Sequence, residues 1–137
     1  MDKILNIDKI SQEALQTFHN HEEEIISKVV LRSMQQVNEI AHHGQEAQRL
    51  ISSGIRFTTK MLDAAMTTGE IALLEDQLTW ATDRLTHEGV KPEHLLHRLQ
   101  IYADVVQETL PEHQAEEINQ FVKWMVRRQQ ELMNQKK

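Results

Sequence analysis

Residues 89–111 read GVKPEHLLHRLQIYADVVQETLP. A glycine closes whatever precedes this stretch, and Pro92 suits the first turn of a new helix, where its missing N–H is no loss and its fixed φ is already helical. Glu93 then faces the positive end of the helix dipole. Leu95, Leu96, Leu99, Tyr102, Ala103, Val106 and Leu110 recur three and four residues apart, which places them on one helical face and on no single face of a strand. The spacing predicts a helix over about 92–110. Pro111 opens another, about 111–133, with Ala115, Ile118, Phe121, Val122, Met125, Val126, Leu132 and Met133 inward.

Toward the N-terminus the same period continues between short breaks. Ile71, Leu74, Leu78, Ala81 and Leu85 mark a fourth helix, preceded by a break at Thr67-Thr68-Gly69. A third is expected over about 45–66, with Leu50, Ile51, Ile55, Thr58, Met61, Leu62 and Ala65 on one face. Gly54 lies within that face, where it admits a close neighbour, so leucine there is expected to overpack at a cost of roughly 1–3 kcal/mol. A second helix is expected from an N-cap at Asn20 to His43, stopped by Gly44, with Ile25, Ile26, Val29, Val30, Val37, Ile40 and Ala41 inward. The first is short, about 8–18. With 137 residues, 4 glycines and 2 prolines, the chain reads as one all-α domain, 1–137, of about six helices.

Composition excludes several classes of function. Cysteine is absent, which removes disulfides, thiolate metal sites and thiol nucleophiles. A net charge of −6 weighs against nucleic acid and anionic lipid as partners, both of which are held by clustered Lys and Arg. No run approaches the ~18 apolar residues of a membrane span, and the opening residues show no signal-peptide pattern. A cytoplasmic protein is expected. Phosphate-binding glycine loops, nucleophile elbows and His-Glu-x-x-His motifs are all missing from the sequence, so no catalysis is expected.

Two helices carry apolar residues on more than one face. Leu73, Trp80 and His87 form a row at spacing seven on the fourth helix, nearly opposite its main face, and imply a second buried surface. On the fifth, His94, Arg98, Ile101 and Val105 form a second row, and Trp124 lies outside the main arc of the sixth. These five residues are expected to form the interface of a homodimer that pairs the last two helices of each copy, with Trp124 and Arg98 as its energetic centre.

The chain has 8 histidines. Glu39 and His42 have the Glu-x-x-His spacing of di-iron bundles but lack the second such motif those require, and His94 with His97 supply only two ligands. No metal is expected. His19, His21 and His113 read as solvated. His87 stands apart because it shares a row with Trp80. Burial there without a metal would lower its pKa, and acidification would destabilise the fold.

The stretch Arg84-Leu-Thr-His-Glu-Gly-Val-Lys-Pro-Glu-His-Leu-Leu, followed by a long helix, Leu110-Pro111-Glu112 and a final long helix, resembles the F to H segment of globin-like sensor domains. It is particularly similar to the non-haem globin domains at the N-termini of bacterial stressosome proteins. The resemblance covers about Ile55 to Gln130 and rests on helix lengths, corners and apolar pattern. It implies a globin-like, cofactor-free sensory or signalling domain, homodimeric, relaying an input through its last two helices to a protein partner or an attached output module. The alternative it implies is a haem or other tetrapyrrole between the third and fourth helices, with His87 as ligand beside Trp80 and Leu73. Two departures bear on that alternative: Phe57 lies inside the third helix instead of before it, and His87 stands only two residues from Gly89. Gly69 to Pro111 is also similar to the helical cap that precedes cobalamin-binding modules. No Asp-x-His-x-x-Gly follows it, which leaves only an isolated cap.

Overall fold

The computed structural model describes residues 10–35, 46–87 and 91–135, and of residues 85–87 the backbone alone. Among the described residues there are six helices and no strand: α1 (Gln12–Asn20), α2 (Glu22–Ser33), α3 (Ala47–Thr68), α4 (Ala72–His87), α5 (Pro92–Thr109) and α6 (Glu112–Gln135). The all-α architecture is therefore the one the apolar spacing predicts. No helix among the described residues is long and apolar enough to cross a membrane.

The helix ends show which local signals act. Ser11 is extended, and its Oγ accepts the Ala14 N–H at 3.1 Å, an ordinary N-cap. The same residue donates from its backbone N and Oγ to Glu117 on α6, at 2.8 and 3.0 Å, which pins the start of α1 to the last helix. Asn20 does not cap α2 as expected. It is the last residue of α1, and His21 precedes α2 without a side-chain capping bond. α2 also ends at Ser33, ten residues before the expected His43, because Met34 and Gln35 turn away. Glu39, His42 and Gly44 lie outside the described residues. α3 ends where Gly69 takes a left-handed φ of 80° and its N–H donates to Ala65 O at 2.7 Å, a conformation glycine adopts without strain. Pro92 occupies the first turn of α5, as the sequence requires.

α5 and α6 form an antiparallel pair at the centre. α2 packs on α5 and on α3, α1 lies against α6, and α4 bridges α3 to α6. The core these helices enclose includes Phe18, Ile25, Val29, Ile51, Leu62, Met66, Leu74, Tyr102, Val106, Ile118, Phe121 and Met125. Among the described residues, arginine–glutamate pairs tie its outside from helix to helix: Arg32 to Glu108 (α2–α5), Arg56 to Glu23 (α3–α2) and Arg128 to Glu75 (α6–α4). The last is two-pronged and only partly exposed, with Nε–Oε1 at 2.7 Å and Nη2–Oε2 at 2.8 Å. Its glutamate holds the Arg128 pKa above the ordinary arginine value, chiefly through that hydrogen bond.

Candidate functional site: a cavity between α3, α4 and α5

α3 packs chiefly on α2 and α4, while α5 packs chiefly on α6 and α2. The space this leaves between α3, α5 and the inner side of α4 is a cavity of about 340 Å³, at the small end of the range for small-molecule sites. Its walls follow from helical spacing. Leu50, Ser53, Gly54, Phe57 and Thr58 are one stripe of α3, Gln77, Leu78, Trp80 and Ala81 one stripe of α4, and Leu95, Arg98, Leu99 and Tyr102 one stripe of α5.

The buried part of the wall is tightly built. Tyr102 is almost completely enclosed, and its hydroxyl lies 2.8 Å from Thr59 Oγ1, which itself donates to Ile55 O at 2.9 Å. Tyr102 therefore donates to Thr59, and burial pushes its pKa above the ordinary tyrosine value. Arg98, 6% exposed, stands among these apolar groups. Burial pulls its pKa down to about 10, so the guanidinium remains cationic at neutral pH. Gln77 is also buried, and its Oε1 has no hydrogen-bond partner. At the mouth two aromatics are exposed, Phe57 and Trp80, with ring centroids 5.9 Å apart and planes tilted by 54°. The Arg84 guanidinium lies 5.8 Å from the Trp80 ring centre, in cation–π range.

The residues singled out in the sequence are distributed differently from expectation. Trp80 lines this cavity, but it is 51% exposed. The row it shares with Leu73 is thus not a second buried surface. Leu73 packs half-buried against the core and takes no part in the wall. The His87 side chain lies outside the described residues, and the expectation about its pKa with it. The row expected to face a second copy is turned inward. Val105 is fully buried, Arg98 and Trp124 are 6% and 7% exposed, and Ile101 packs against the core; His94 is half-buried. The physical reason is that α2, α4 and α6 all pack on α5, so its apolar rows face them within the chain and the stripe Glu93, His97, Gln100, Asp104 and Gln107 faces solvent. This corrects the proposed interface.

Gly54 does lie where another helix approaches, but its neighbour there is the Arg98 side chain. A Cβ at Gly54 would stand 3.7 Å from Arg98 Nη1, an ordinary contact. His19, expected to be solvated, is exposed yet lies 2.9 Å from Asp63 Oδ1 and joins α1 to α3. No cluster of three His, Cys, Asp or Glu suited to a metal occurs among the described residues.

The side chain of His87, the residue expected to hold a haem, lies outside the described residues, and the described wall includes no other imidazole, thiolate or thioether. Sequence reasoning missed Arg98, Gln77 and Gly54 as wall residues. The usable signal was a charged and an amide side chain set among apolar ones on inward faces, together with a glycine opposite. Comparison with known proteins returns nothing: no family model, no curated protein and no solved structure matches the chain.

Proposed function

We propose that this chain is a non-catalytic sensory or signalling domain of globin-like type that responds to a small, largely apolar molecule held between α3, α4 and α5. The single observation behind this reading is the cavity itself, an apolar space with exposed aromatics at its mouth. An unfilled cavity leaves its wall atoms without dispersion partners, so a ligand that fills it favours the arrangement with α3 and α4 closed on α5. α5 shares its longest contact with α6. A shift of α5 is therefore carried to the last helix and from there to a partner or attached module.

The described wall contains no carboxylate, imidazole or thiol, which supports binding over bond-making chemistry. A cytoplasmic location belongs to the same reading. A homodimer through Arg98, Val105 and Trp124 is not part of it, since these three side chains are buried within the chain.

Gly54→Leu supplies the test, because its side chain projects into the cavity. Wild-type protein should be stabilised by a panel of small apolar compounds in a thermal-shift assay, with slower hydrogen exchange in α5 and α6. Gly54→Leu should lose both responses. Equal responses in the two proteins would place the binding elsewhere and overturn the reading.

A further inference from the structure

Gln77 stands on the α4 stripe that lines the cavity and is 8% exposed. Its Oε1 is buried and accepts no hydrogen bond. An amide oxygen can accept two, and one cut off from water and from any donor loses its solvation with nothing in return. Water alone is a poor remedy. A buried water normally makes about three hydrogen bonds, whereas the wall around this glutamine is mainly hydrocarbon, with Leu78 and Ala81 beside it on α4 and Leu50, Leu95 and Leu99 on the facing helices. The donor that suits the site is one carried by an apolar body, which fills the remaining space at the same time.

The mouth supplies a second, independent observation and bears on the kind of body. Phe57 and Trp80 are 43% and 51% exposed, with ring centroids 5.9 Å apart and planes tilted by 54°. Exposed ring faces and edges receive a further ring in the offset or edge-to-face arrangement that aromatic groups prefer. Trp80 is three residues from Gln77, one helical turn on the same face, so a single small molecule reaches both. An apolar cavity of roughly 150 Å³ takes benzene, so about 340 Å³ has room for one or two fused rings.

Building on the proposed ligand-binding function, we infer that the ligand is an uncharged aromatic compound of one or two rings bearing a hydrogen-bond donor, an N–H or O–H that pairs with Gln77 Oε1 while the ring lies among the leucines and against Trp80. A neutral donor matches a neutral acceptor. An anion would bring lone pairs to an oxygen that is itself an acceptor, and an ammonium ion would surrender its hydration to a wall whose described residues include no carboxylate.

The test uses three bicyclic probes of similar size, indole, quinoline and benzofuran, each titrated calorimetrically into the full chain at neutral pH, where all are uncharged. Indole donates a hydrogen bond, quinoline accepts one, and benzofuran has no donor. Indole should bind about tenfold more tightly than either, the effect of one hydrogen bond made against one left unmade. In Gln77→Met the three affinities should converge while binding persists, and the variant, which loses no hydrogen bond within the fold, should melt no lower than the wild type. Trp80→Leu, at an exposed position, should weaken indole and benzofuran alike by about threefold or more. Equal affinity for indole and benzofuran in the wild type, a comparison that needs no variant to fold, would overturn the donor assignment and leave the cavity as a ligand site. Tighter binding of quinoline would do the same, by showing that the amide offers its NH2 group. A Gln77→Met protein that melts well below the wild type would show that the amide already serves the fold, and Trp80→Leu without effect would remove the ring from the assignment. Binding of none of the three would overturn this inference, and binding unchanged in Gly54→Leu would overturn the cavity reading beneath it.

Discussion

At Gly54 the physical stakes come down to one missing methyl group. The residue lies inside α3, where glycine costs helix stability through the backbone freedom it must give up. The added Cβ meets nothing closer than Arg98 Nη1 at 3.7 Å. Gly54→Ala is therefore expected to raise stability by about 0.5–1 kcal/mol, measured by urea unfolding with an unchanged m-value. A loss of stability would show that α3 and α5 approach more closely than this geometry allows. The overpacking expected from sequence for leucine at this position does not follow, because the side chain has a cavity to enter. Sequence placed Gly54 on the inward face correctly. It could not reveal that the facing residue is a long arginine able to shift, since that depends on how α3 and α5 are spaced in three dimensions.

The lesson of the single element is clearest on α5. Its two apolar rows were legible in the sequence, Leu95 to Leu110 on one side and Ile101 with Val105 on the other. What covers the second row was not, because a helix presents the same pattern whether its neighbour is another part of the chain or another copy. In the fold the cover is intramolecular, and Val105 and Trp124 are core residues. Val105→Glu should accordingly leave the protein unfolded at any concentration, since a carboxylate there is buried without a partner. Trp124→Ala should cost about 3–5 kcal/mol. Circular dichroism and sedimentation check both: a folded Val105→Glu monomer would return this row to the surface. The end of α2 was illegible for a related reason. The apolar period runs on past Ser33, and no glycine or proline marks the turn at Met34 and Gln35.

At the scale of the fold, the six helices among the described residues were readable because glycine, proline and apolar spacing act locally. The cavity was not, since it is a space between three helices that no one of them encodes. The ion pairs that hold α2 to its neighbours are likewise long-range, and they set how the assembly responds to acid. The Arg56 hydrogen bond holds the Glu23 carboxyl below the ordinary glutamate range, and Arg32 does the same for Glu108. A carboxylate whose pKa is depressed by folding contributes stability above its unfolded value, and that contribution disappears as pH falls through the folded value. A Glu23→Gln/Glu108→Gln double variant should thus melt below the wild type at neutral pH, and the gap should close as pH drops through about 4 and below. Both glutamates are exposed, so added salt should narrow the gap as well. Melting curves collected across pH provide the check, and a gap independent of pH would show that charge plays no part.

The contrast between the two tryptophans has an optical consequence. Trp80 stands at the cavity mouth with half its surface in water, beside Phe57 and under the Arg84 guanidinium, while Trp124 is sealed in the core. Their emission separates by environment, a long-wavelength component open to a dissolved quencher from the first and a short-wavelength, shielded one from the second. The chain thereby has a built-in pair of fluorophores, one registering events at the mouth and the other the integrity of the interior, with no label attached.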